Sequence, residues 1–491
     1  MTASIASTLA SSALPQIGPA YGIGGELPPV VVIVFDELPL TSLLDERFGI
    51  DRGLFPNFAR LQRDSLWFRN ATTSRAFTWD AVPSLLTGMR NAKPDSPNLF
   101  SLLDGEYGLS ITESLTSVCP GSLCESTSSM DPKAGWKRGL GGFVGVDRGR
   151  TFGRFMAQLR AHPEPHFYYL HFAMPHFPWR YLPSGQQYHA TSGLPGQIDR
   201  PGPGRDWVAD DWLVAQAYQR HLMQLAFTDR ILGRVIDRLR ETDLYGRSLV
   251  VVTADHGMAF TSGESKRVAT GETVEEIARV PLFLKLPNRT IGRIDDQPAE
   301  LVDVTPTVMD LLDLHAPSRF DGASLLRDAP DPAARSMAGV DVGDGIHHAR
   351  SIVARKRQLF AFRKGSIDLY SLAPPGYEGL MGASASALAG PDASGQVTIL
   401  RRRAIRDASE DDDPLPALVK GIFPEGYSGQ GMVAVAIDDR IWAVTRTYEA
   451  EGSIRFECMV PPRAFGTPPN QVEAFLVIGG PRPLSLLNQV S

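Results

Sequence analysis

Two runs of consecutive apolar residues, each leading to an acidic residue, constrain the fold of this chain more than any other feature. Val30–Phe35 contains six apolar residues and is followed at once by Asp36-Glu37. Leu249–Val252 leads to Thr253-Ala254-Asp255-His256-Gly257. Continuous β-branched runs are typical of strands in a sheet that is covered on both faces. The sequence therefore predicts buried strands that carry carboxylates at their ends.

Further strands and a long helix are predicted along the same part of the chain. His166–Phe172 and Val280–Leu286 are apolar runs that predict two more strands. From Asp211 to Arg240, apolar residues recur at three- and four-residue spacing, which predicts an amphipathic helix. Strands that alternate with helices favour a layered α/β domain with a mostly parallel central sheet.

Changes in composition and in the pattern of apolar residues divide the sequence into four segments. We expect a flexible N-terminal segment at 1–27, the α/β domain at 28–326, and a linker with accessory segments at 327–418. From 419 to 491, short alternating segments are separated by turn residues such as Asp438-Asp439, which predicts a small β-rich domain.

Charge and hydropathy exclude some classes of partner. The net charge is −6, so no basic field indicates nucleic acid binding. The sequence contains no run of about 18 apolar residues, so it predicts no membrane span. Residues 1–15 lack a basic start and a continuous apolar stretch, so they are a poor secretory signal.

The chain has three cysteines, and two of them lie close together. Cys119 and Cys124 could form a local disulfide, a metal clip or two free thiols, but no second pair completes a zinc site. We favour a disulfide, which implies an oxidising, extracytoplasmic compartment. Cys458 lies in a strand-like segment and is predicted to be a buried thiol.

The acidic ends of the two strands indicate a metal site. In open α/β sheets, functional groups gather at the carboxyl ends of strands. A single Asp at such a place usually caps a turn. Two of them, one joined to a histidine, favour Asp36, Asp255 and His256 as ligands of a divalent cation. Positions would remain open on the cation for a nucleophile and a substrate oxygen.

A series of short motifs then occurs in a characteristic order. They are Phe35-Asp36-Glu37, Thr78 ten residues before the glycine of Leu86-Thr87-Gly88, Pro175-His176-Phe177-Pro178, Thr253-Ala254-Asp255-His256-Gly257, Arg279-Val280-Pro281-Leu282 and Val302-Asp303-Val304-Thr305-Pro306-Thr307. Each motif alone is weak, but their order over about 28–326 is specific. In these motifs the chain resembles the sulfatase-like members of the alkaline phosphatase superfamily.

The resemblance implies a fold and a set of site residues. It implies a three-layer alkaline-phosphatase-like domain and one divalent metal ion, Mn, Mg, Ca or Zn. Thr78 would be the nucleophile and His176 a contact to substrate oxygen. Apart from the resemblance, Lys266 and Arg267 follow the metal segment in a polar loop. A charged loop is usually only solvated, but a reaction on a tetrahedral anion needs cations around it, so both are candidates. The predicted metal ligands are Asp36, Glu37, Thr78, Asp255 and His256.

The residues after Thr78 depart from true sulfatases. Sulfatases follow their nucleophile with x-Pro-Ser-Arg and convert a Cys or Ser to formylglycine, whereas this chain has Thr78-Trp79-Asp80-Ala81-Val82. A threonine cannot give formylglycine, because its β-carbon carries a methyl group. Thr78 is similar to the nucleophile of phosphoglycerol and phosphoethanolamine transferases, which carry a phospho-intermediate on it. The alternative for Thr78 is a helix N-cap.

Three further assignments concern histidines and carboxylates. Two-zinc relatives place Asp-x-x-x-His on a helix, but Asp229 is followed four residues later by Gly233, so one metal is expected. Glu37 is either a second carboxylate ligand or only a charge at the strand end. We interpret His171, on the strand before His176, as a core histidine.

These observations favour a metal-dependent hydrolase or transferase. The expected substrate is an anionic phosphoester, linked to an envelope lipid or glycan, with membrane-surface association allowed. A sulfuric ester hydrolase is one alternative, opposed by Thr78. A catalytically inactive domain that binds an anionic glycan or lipid is the other, opposed by the intact set of Asp36, Thr78, Asp255 and His256.

Overall fold

The structure of this protein is a computed structural model. It describes residues 27–93, 95–113, 115–123, 147–189, 196–198, 206–315, 319–327, 335–361, 367–390, 395–429, 431–477 and 484–489. The predicted N-terminal segment up to residue 26 and the core of the predicted linker, 328–334, lie outside these ranges.

The strands are numbered in chain order. They are β1 (Val30–Asp36), β2 (Leu66–Phe68), β3 (Ala71–Thr72), β4 (Gly108–Thr112), β5 (His166–Pro175), β6 (Gln197–Ile198), β7 (Asp206–Trp207), β8 (Leu249–Ala254), β9 (Leu282–Lys285), β10 (Arg293–Asp295), β11 (Ala299–Glu300), β12 (Ser336–Met337), β13 (Val340–Asp341), β14 (Gln396–Ile399), β15 (Leu418–Ile422), β16 (Met432–Ile437), β17 (Arg440–Arg446), β18 (Tyr448–Ala450), β19 (Ser453–Met459), β20 (Val472–Val477), β21 (Leu484–Leu486) and β22 (Asn488–Gln489).

The helices are numbered in the same way. They are α1 (Leu40–Leu43), α2 (Pro56–Asp64), α3 (Thr78–Thr87), α4 (Leu99–Leu103), α5 (Arg148–Gln158), α6 (Asp211–Glu241), α7 (Leu244–Arg247), α8 (Val274–Ala278), α9 (Val304–Leu311), α10 (Arg350–Phe360) and α11 (Arg402–Asp407).

The main sheet has seven strands in the order β10-β2-β9-β8-β1-β5-β4. β1 lies between β5 and β8 and is parallel to both. β4 pairs in parallel with β5 and β10 with β2, whereas β9 runs antiparallel to β2 and β8. Helices α2, α5 and α6 pack against these strands. The prediction of an α/β domain with a mostly parallel sheet is confirmed.

The buried strands follow from their sequences. Every residue of β1, β5 and β8 is buried, as expected for apolar strands in a covered sheet. Helix α6 confirms the helix predicted from periodicity, because its apolar side chains face the same core. Its residue Asp229 accepts hydrogen bonds from Asn57 and from the backbone N–H of Phe58, both in α2. Asp229 therefore joins two helices.

The C-terminal part of the chain is β-rich, as predicted. One sheet has the order β18-β19-β15-β14-β22 and the other β17-β16-β20-β21. The first sheet already begins with β14 at Gln396, before the predicted boundary at 419. In β16, Val433 and Val435 belong to the core shared with the α/β domain, whereas Ala434 and Ala436 pack into a separate cluster.

A buried ionic network joins the C-terminal sheets to α6. Arg220 of α6 forms an ion pair with Glu457 of β19, and both side chains are almost completely buried. Lys420 Nζ lies 2.8 Å from the other Glu457 oxygen. Gln216, one turn before Arg220, donates hydrogen bonds to Thr445 Oγ1 at 2.8 Å and to the Glu457 carbonyl at 3.1 Å. The long helix is therefore part of two packed units.

Two further predictions can be compared with the described residues. Among these residues, no helix combines the length and hydropathy that crossing a membrane requires. Cys458 is a buried free thiol, as predicted. The predicted disulfide between Cys119 and Cys124 stays a prediction, because Cys124 lies outside the described residues.

Candidate active site

The carboxyl ends of β1, β5 and β8 converge at one edge of the main sheet. Phe35 of β1 is in register with Ala254 of β8, so the next residues, Asp36 and Asp255, emerge side by side. On the other side of β1, Asp36 is aligned with Pro175 at the end of β5. The residues that follow these three strands therefore share one site, as parallel topology requires.

Asp36, His171 and Asp255 form a candidate metal site at this edge. One donor atom from each lies within 4.8 Å of the others, and all three residues are buried. Both carboxylate oxygens of Asp36, Oδ2 of Asp255 and Nε2 of His171 have no hydrogen-bond partner among the described residues. Burial and the adjacent Asp255 raise the pKa of Asp36 well above its usual value. Buried, unpartnered donors of this kind fit a divalent cation.

His171 was missed as a site residue by the sequence analysis. It is buried as a core histidine would be, yet its Nε2 is 3.9 Å from Asp255 Oδ2 and its Nδ1 is 3.0 Å from Glu113 Oε2. Burial lowers the pKa of His171, but Glu113, Asp255 and Asp36 outweigh this and raise it to about 9. The signal in the sequence was a polar residue inside an otherwise apolar, fully buried strand.

Thr78 lies at the start of α3 and faces the same site. The helix begins at Thr78 itself and its N-cap residue is Phe77, so the interpretation of Thr78 as an N-cap is wrong by one position. The Thr78 hydroxyl instead lies 3.2 Å from His256 Nε2. Because backbone N–H groups at a helix N-terminus favour anions, an anionic substrate group would be stabilised at this position.

His256 presents a neutral ring nitrogen to Thr78. Its Nδ1 is 3.0 Å from the Gly257 carbonyl and therefore carries the hydrogen, which leaves the lone pair on Nε2. That Nε2 is 3.3 Å from Asp255 Oδ2 and 3.9 Å from Asp36 Oδ1. Burial and the nearby Arg267 lower the pKa of His256 to about 4. His256 is therefore uncharged at neutral pH.

Arg267 connects the other members of the site. Its Nε and Nη2 both donate to Glu37 Oε1, in one case at 3.0 Å and in the other at 2.5 Å. Its Nη1 lies 2.9 Å from His256 Nε2, and its Nη2 lies 3.2 Å from His176 Nε2. The guanidinium group thus places fixed positive charge on His256, which contacts Thr78, and the role of Arg267 toward a tetrahedral anion stays a prediction.

Glu37 lies beside the candidate metal site but is engaged by other groups. Besides Arg267, its carboxylate accepts the Phe177 backbone N–H at 3.1 Å. Burial alone would raise the pKa of Glu37, but Arg267 and His176 outweigh burial and hold it well below its usual range. Of the two roles left open for Glu37, these contacts favour the fixed charge, and its role as a metal ligand stays a prediction.

His176 is close to the predicted substrate position. Its Nδ1 contacts the Phe177 carbonyl, and its backbone carbonyl accepts hydrogen bonds from Arg148 and Gln224. Burial lowers the pKa of His176 to about 4, so the ring is neutral. These contacts fix the ring beside Arg267 with the hydrogen on Nδ1, so Nε2 can accept a hydrogen bond from a hydroxyl oxygen of the substrate.

Lys266 has a different environment from its neighbour Arg267. Its Nζ donates to Gln197 Oε1 at 2.6 Å and lies 4.1 Å from the centre of the Trp207 ring. These contacts fix the side chain against β6 and β7. A catalytic role for Lys266 stays a prediction.

Two exposed apolar side chains flank the site. Trp79, next to Thr78, is 61% exposed, and Val268, next to Arg267, is 49% exposed. One face of the Trp79 ring stacks on Phe77 at a centroid distance of 4.8 Å. The other side of the ring is open beside the nucleophile.

The site therefore combines a hydroxyl, a neutral base, a guanidinium group in a fixed position and a group of buried atoms that can bind a metal. A family model described as Sulfatase matches residues 28–314, which is more than half of the chain and includes all of these residues. The chain belongs to the sulfatase family.

Curated relatives of this sulfatase-family protein match over shorter segments. A sulfatase of Formosa agariphila is 30% identical over 125 residues, which are 26% of this chain and 24% of that protein. The multifunctional alkaline phosphatase superfamily protein PehA of Trinickia caryophylli is 35% identical over 133 residues, 27% of this chain and 26% of PehA. Arylsulfatase K of Homo sapiens is 32% identical over 101 residues, which are 21% of this chain and 18% of that protein. The chain thus spans about a quarter or less of the length of these relatives.

Solved structures similar to this sulfatase-family protein include two phosphonate monoester hydrolases. The enzyme of Agrobacterium radiobacter has a TM-score of 0.48 and 17% identity, covering 66% of this chain and 82% of that one. The enzyme of Silicibacter pomeroyi has a TM-score of 0.44 and 19% identity, covering 62% and 78%.

Proposed function

We propose that this protein is a metal-dependent hydrolase or transferase of phosphoesters that forms a covalent phosphothreonine at Thr78. The proposed substrate is an anionic phosphoester of the cell envelope, linked to a lipid or a glycan. The observation that carries this proposal is the 3.2 Å contact between the Thr78 hydroxyl and the neutral Nε2 of His256, beside the guanidinium of Arg267.

The first half of the reaction uses Thr78 and His256. The Thr78 oxygen attacks phosphorus and forms the new O–P bond, while its proton passes to His256 Nε2. The bond between phosphorus and the leaving alcohol breaks, and the alcohol oxygen takes a proton from solvent. The second half reverses this chemistry: water or an acceptor alcohol attacks the phosphothreonine, the Thr78 O–P bond breaks, and the proton returns from His256 to Thr78. The attacking oxygen releases its own proton to solvent.

Arg267 would contact the phosphoryl oxygens, and His176 Nε2 would accept a hydrogen bond from a hydroxyl group of the substrate or of the attacking water. Arg267 is held near the nucleophile by its ion pair with Glu37, and the N–H groups that contact His256 and His176 in the free site would turn from these rings to the substrate. The organic part of the substrate would pass the open face of Trp79, because Trp79 is the immediate neighbour of the nucleophile.

Asp36, His171 and Asp255 would hold the divalent cation. When bound, the cation supplies positive charge to the phosphoryl group and lowers the pKa of the nucleophile. Glu37, Thr78 and His256 stay predicted ligands. Because His256 Nε2 has a single lone pair, it cannot bind a metal and accept the Thr78 proton at the same time. When the Arg267 N–H that contacts Nε2 at 2.9 Å turns to the substrate, the Thr78 hydroxyl at 3.2 Å is left to donate to this lone pair, which favours the second role.

The proposal is tested by incubating the protein and a divalent metal salt with candidate phosphodiesters, including glycerophospholipids. Mass spectrometry of the intact protein and of its peptides should find a phospho-adduct on Thr78. Turnover of bis-(4-nitrophenyl) phosphate without an adduct would argue for attack by water. Absence of both turnover and adduct would favour an inactive binding domain.

Sulfate-ester hydrolysis is a second candidate, because the family model that the chain matches is that of sulfatases. Thr78 opposes this function, since threonine cannot mature to formylglycine. Parallel assays with 4-nitrophenyl sulfate decide between the two: our proposal expects much slower turnover of the sulfate than of the phosphodiester.

Replacing Arg267 should separate catalysis from metal binding. Arg267→Lys keeps a positive charge but loses the forked hydrogen bonds to Glu37 and the contacts to both histidines. We expect kcat/KM to fall by about 100- to 1,000-fold, as for the loss of one donor to a developing anion, while metal affinity changes little. Lys266→Gln is the matched comparison, and its expected loss is much smaller. Equal losses in the two variants would assign the catalytic charge to both residues.

The proposed extracytoplasmic location predicts the state of the cysteines. Thiol titration of the denatured, unreduced protein should find one free thiol, that of Cys458, because Cys119 and Cys124 are bonded to each other. After reduction the count should rise to three, and Cys458→Ser should show none before reduction. Three thiols before reduction would contradict both the disulfide and the location inferred from it.

A further inference from the structure

We propose that Glu113 fixes His171 as a nitrogen ligand of the cation, and that this pair makes the site prefer a transition-metal ion such as Zn²⁺ over Ca²⁺. Glu113 belongs to none of the sequence motifs described above. The inference rests on the metal-dependent function proposed here. Its test, however, measures metal binding and needs no substrate.

The pair spans two neighbouring parallel strands. Glu113 directly follows β4, and His171 lies on β5. His171 Nδ1 is 3.1 Å and 3.0 Å from the two carboxylate oxygens of Glu113, and both side chains are buried. An ionised carboxylate can only accept, so Nδ1 carries the hydrogen. When the ring gives up its other hydrogen to bind a metal, the lone pair is therefore on Nε2, which faces Asp36 and Asp255.

Glu113 cannot turn away from this contact. Its Oε1 also accepts the backbone N–H groups of Leu115 at 2.6 Å and Thr116 at 2.9 Å. These two donors anchor the carboxylate in the loop after β4. The orientation of the His171 ring is thus determined by a group outside the metal site, which is the arrangement typical of histidines that bind metals.

A purely ionic role for His171 does not fit the distances. If both ring nitrogens carried hydrogens, Nε2 would be expected to donate to Asp255, but it lies 3.9 Å from Asp255 Oδ2 and has no hydrogen-bond partner among the described residues. That separation is too long for an N–H···O hydrogen bond. A cation bound by the imidazole and the two carboxylates would give all of these nitrogen and oxygen atoms a partner.

The nitrogen donor has a consequence for metal preference. Ca²⁺ takes oxygen ligands, whereas imidazole is a good ligand for Zn²⁺ and its neighbours in the transition series. Removing the imidazole should therefore weaken Zn²⁺ binding much more than Ca²⁺ binding. We expect His171→Gln to lower Zn²⁺ affinity by at least about 10-fold and Ca²⁺ affinity by less than about threefold.

Glu113→Gln tests the orientation of the ring with almost no change in shape. The amide oxygen should stay with the N–H groups of Leu115 and Thr116, which turns the amide NH₂ toward His171 Nδ1. The NH₂ group opposes a hydrogen on Nδ1 and leaves only the oxygen at 3.1 Å to accept it, which favours the tautomer with the hydrogen on Nε2 and without the metal-binding lone pair. Zn²⁺ affinity should again fall by at least about 10-fold. Because the mechanism acts through His171, Glu113→Gln should have little further effect in a His171→Gln background.

The experiment is calorimetric titration of the full-length, metal-free protein with ZnCl₂ and with CaCl₂. The matched control is His166→Gln, since His166 is on the same strand and pairs with Ser110 of β4 at 2.8 Å, at the other end of the strand from the site. The control should bind both ions like the wild type. It also reports Zn²⁺ taken up by the stacked rings of His162 and His166.

Two results would overturn the inference. Wild-type Zn²⁺ affinity in His171→Gln would remove His171 from the ligand set. Equal losses of Zn²⁺ and Ca²⁺ affinity in both variants would reduce the pair to a general structural role. If metal binding behaves as expected but Thr78 never acquires a phospho-adduct, the inference stands and the proposed function fails.

Discussion

Thr78→Ala should lower phosphodiester turnover by at least about 1,000-fold while leaving the fold and most of the metal binding intact. The reason is mechanistic, because the hydroxyl forms the covalent intermediate whereas Asp36, His171 and Asp255 would supply the metal's binding energy. Turnover is measured with a chromogenic phosphodiester, and metal binding by calorimetry on the same preparation. Thr78→Ser should keep part of the activity, because the attacking oxygen remains.

The matched control for this prediction is Thr87→Ala at the other end of α3. Thr87 is also buried, but its hydroxyl donates to the Pro83 carbonyl at 2.8 Å, within the helix. Its replacement should leave turnover nearly unchanged. Thr78→Cys should not create a sulfatase, because the residues after it lack Pro-Ser-Arg. Full activity in Thr78→Ala would mean that a water molecule attacks phosphorus and that the covalent mechanism is wrong.

Asp36→Asn should change stability in opposite directions with and without metal. In the metal-free protein, buried Asp36 is repelled by Asp255 and its pKa is raised well above 3.8, so the ionised form destabilises the fold. Asparagine removes that charge, and each unit of pKa elevation corresponds to about 1.4 kcal/mol. The metal-free variant should therefore melt at a higher temperature than the wild type. Metal affinity should fall by at least about 100-fold, so metal-induced stabilisation disappears.

The pH dependence of this effect has a definite sign. Where the folded protein holds a proton on Asp36 that the unfolded chain has released, wild-type stability falls as pH rises. The window begins near 3.8, so the advantage of metal-free Asp36→Asn over the wild type should grow as pH rises above that value. Differential scanning fluorimetry from acidic to neutral pH measures this difference. A variant that is less stable than the metal-free wild type at neutral pH would contradict the account.

Asp229→Asn provides the control for Asp36→Asn. Asp229 is also buried, and burial raises its pKa to about 6, but it accepts hydrogen bonds from Asn57 and Phe58 away from the metal site. Asparagine would place an NH₂ group opposite the Asn57 Nδ2 donor, and this lost bond opposes the gain from removing a buried charge, so the net change in stability should be the same with and without metal. The metal-induced shift in melting temperature should stay the same.

The sequence predicted the fold and the meeting of Thr78 with His256 for different reasons. Strands β1, β5 and β8 were predictable because every side chain in them is buried, which requires continuous apolar runs. Helix α6 was predictable because its apolar residues keep helical spacing over its whole length. The convergence of Asp36 and Asp255 then follows from parallel topology alone, since both residues come directly after neighbouring strands.

What the sequence did not predict depends on long-range pairing. Glu37 and Arg267 are 230 positions apart, and His171 and Glu113 are 58 positions apart. Neither pair has a spacing that local periodicity can reveal. His171 is surrounded in sequence by aromatic and aliphatic residues, so burial was the natural interpretation. Only the alignment of β4 beside β5 brings a carboxylate to the His171 ring and identifies the second ring nitrogen as an atom that can bind a metal.

The ion pair between Arg220 and Glu457 couples the stability of the α/β domain to that of the C-terminal sheets. Removing one partner of a buried pair costs about 3–5 kcal/mol, so Glu457→Ala, which leaves Arg220 of α6 covered by the C-terminal sheets without its partner, should destabilise the protein by about this amount. One turn further along the same helix, Gln224 holds the carbonyls of Pro175 and His176 at 3.0 and 2.8 Å. A displacement of the distant sheet would thus be transmitted along helix α6 to the substrate-contacting histidine. The two parts should unfold in one cooperative transition.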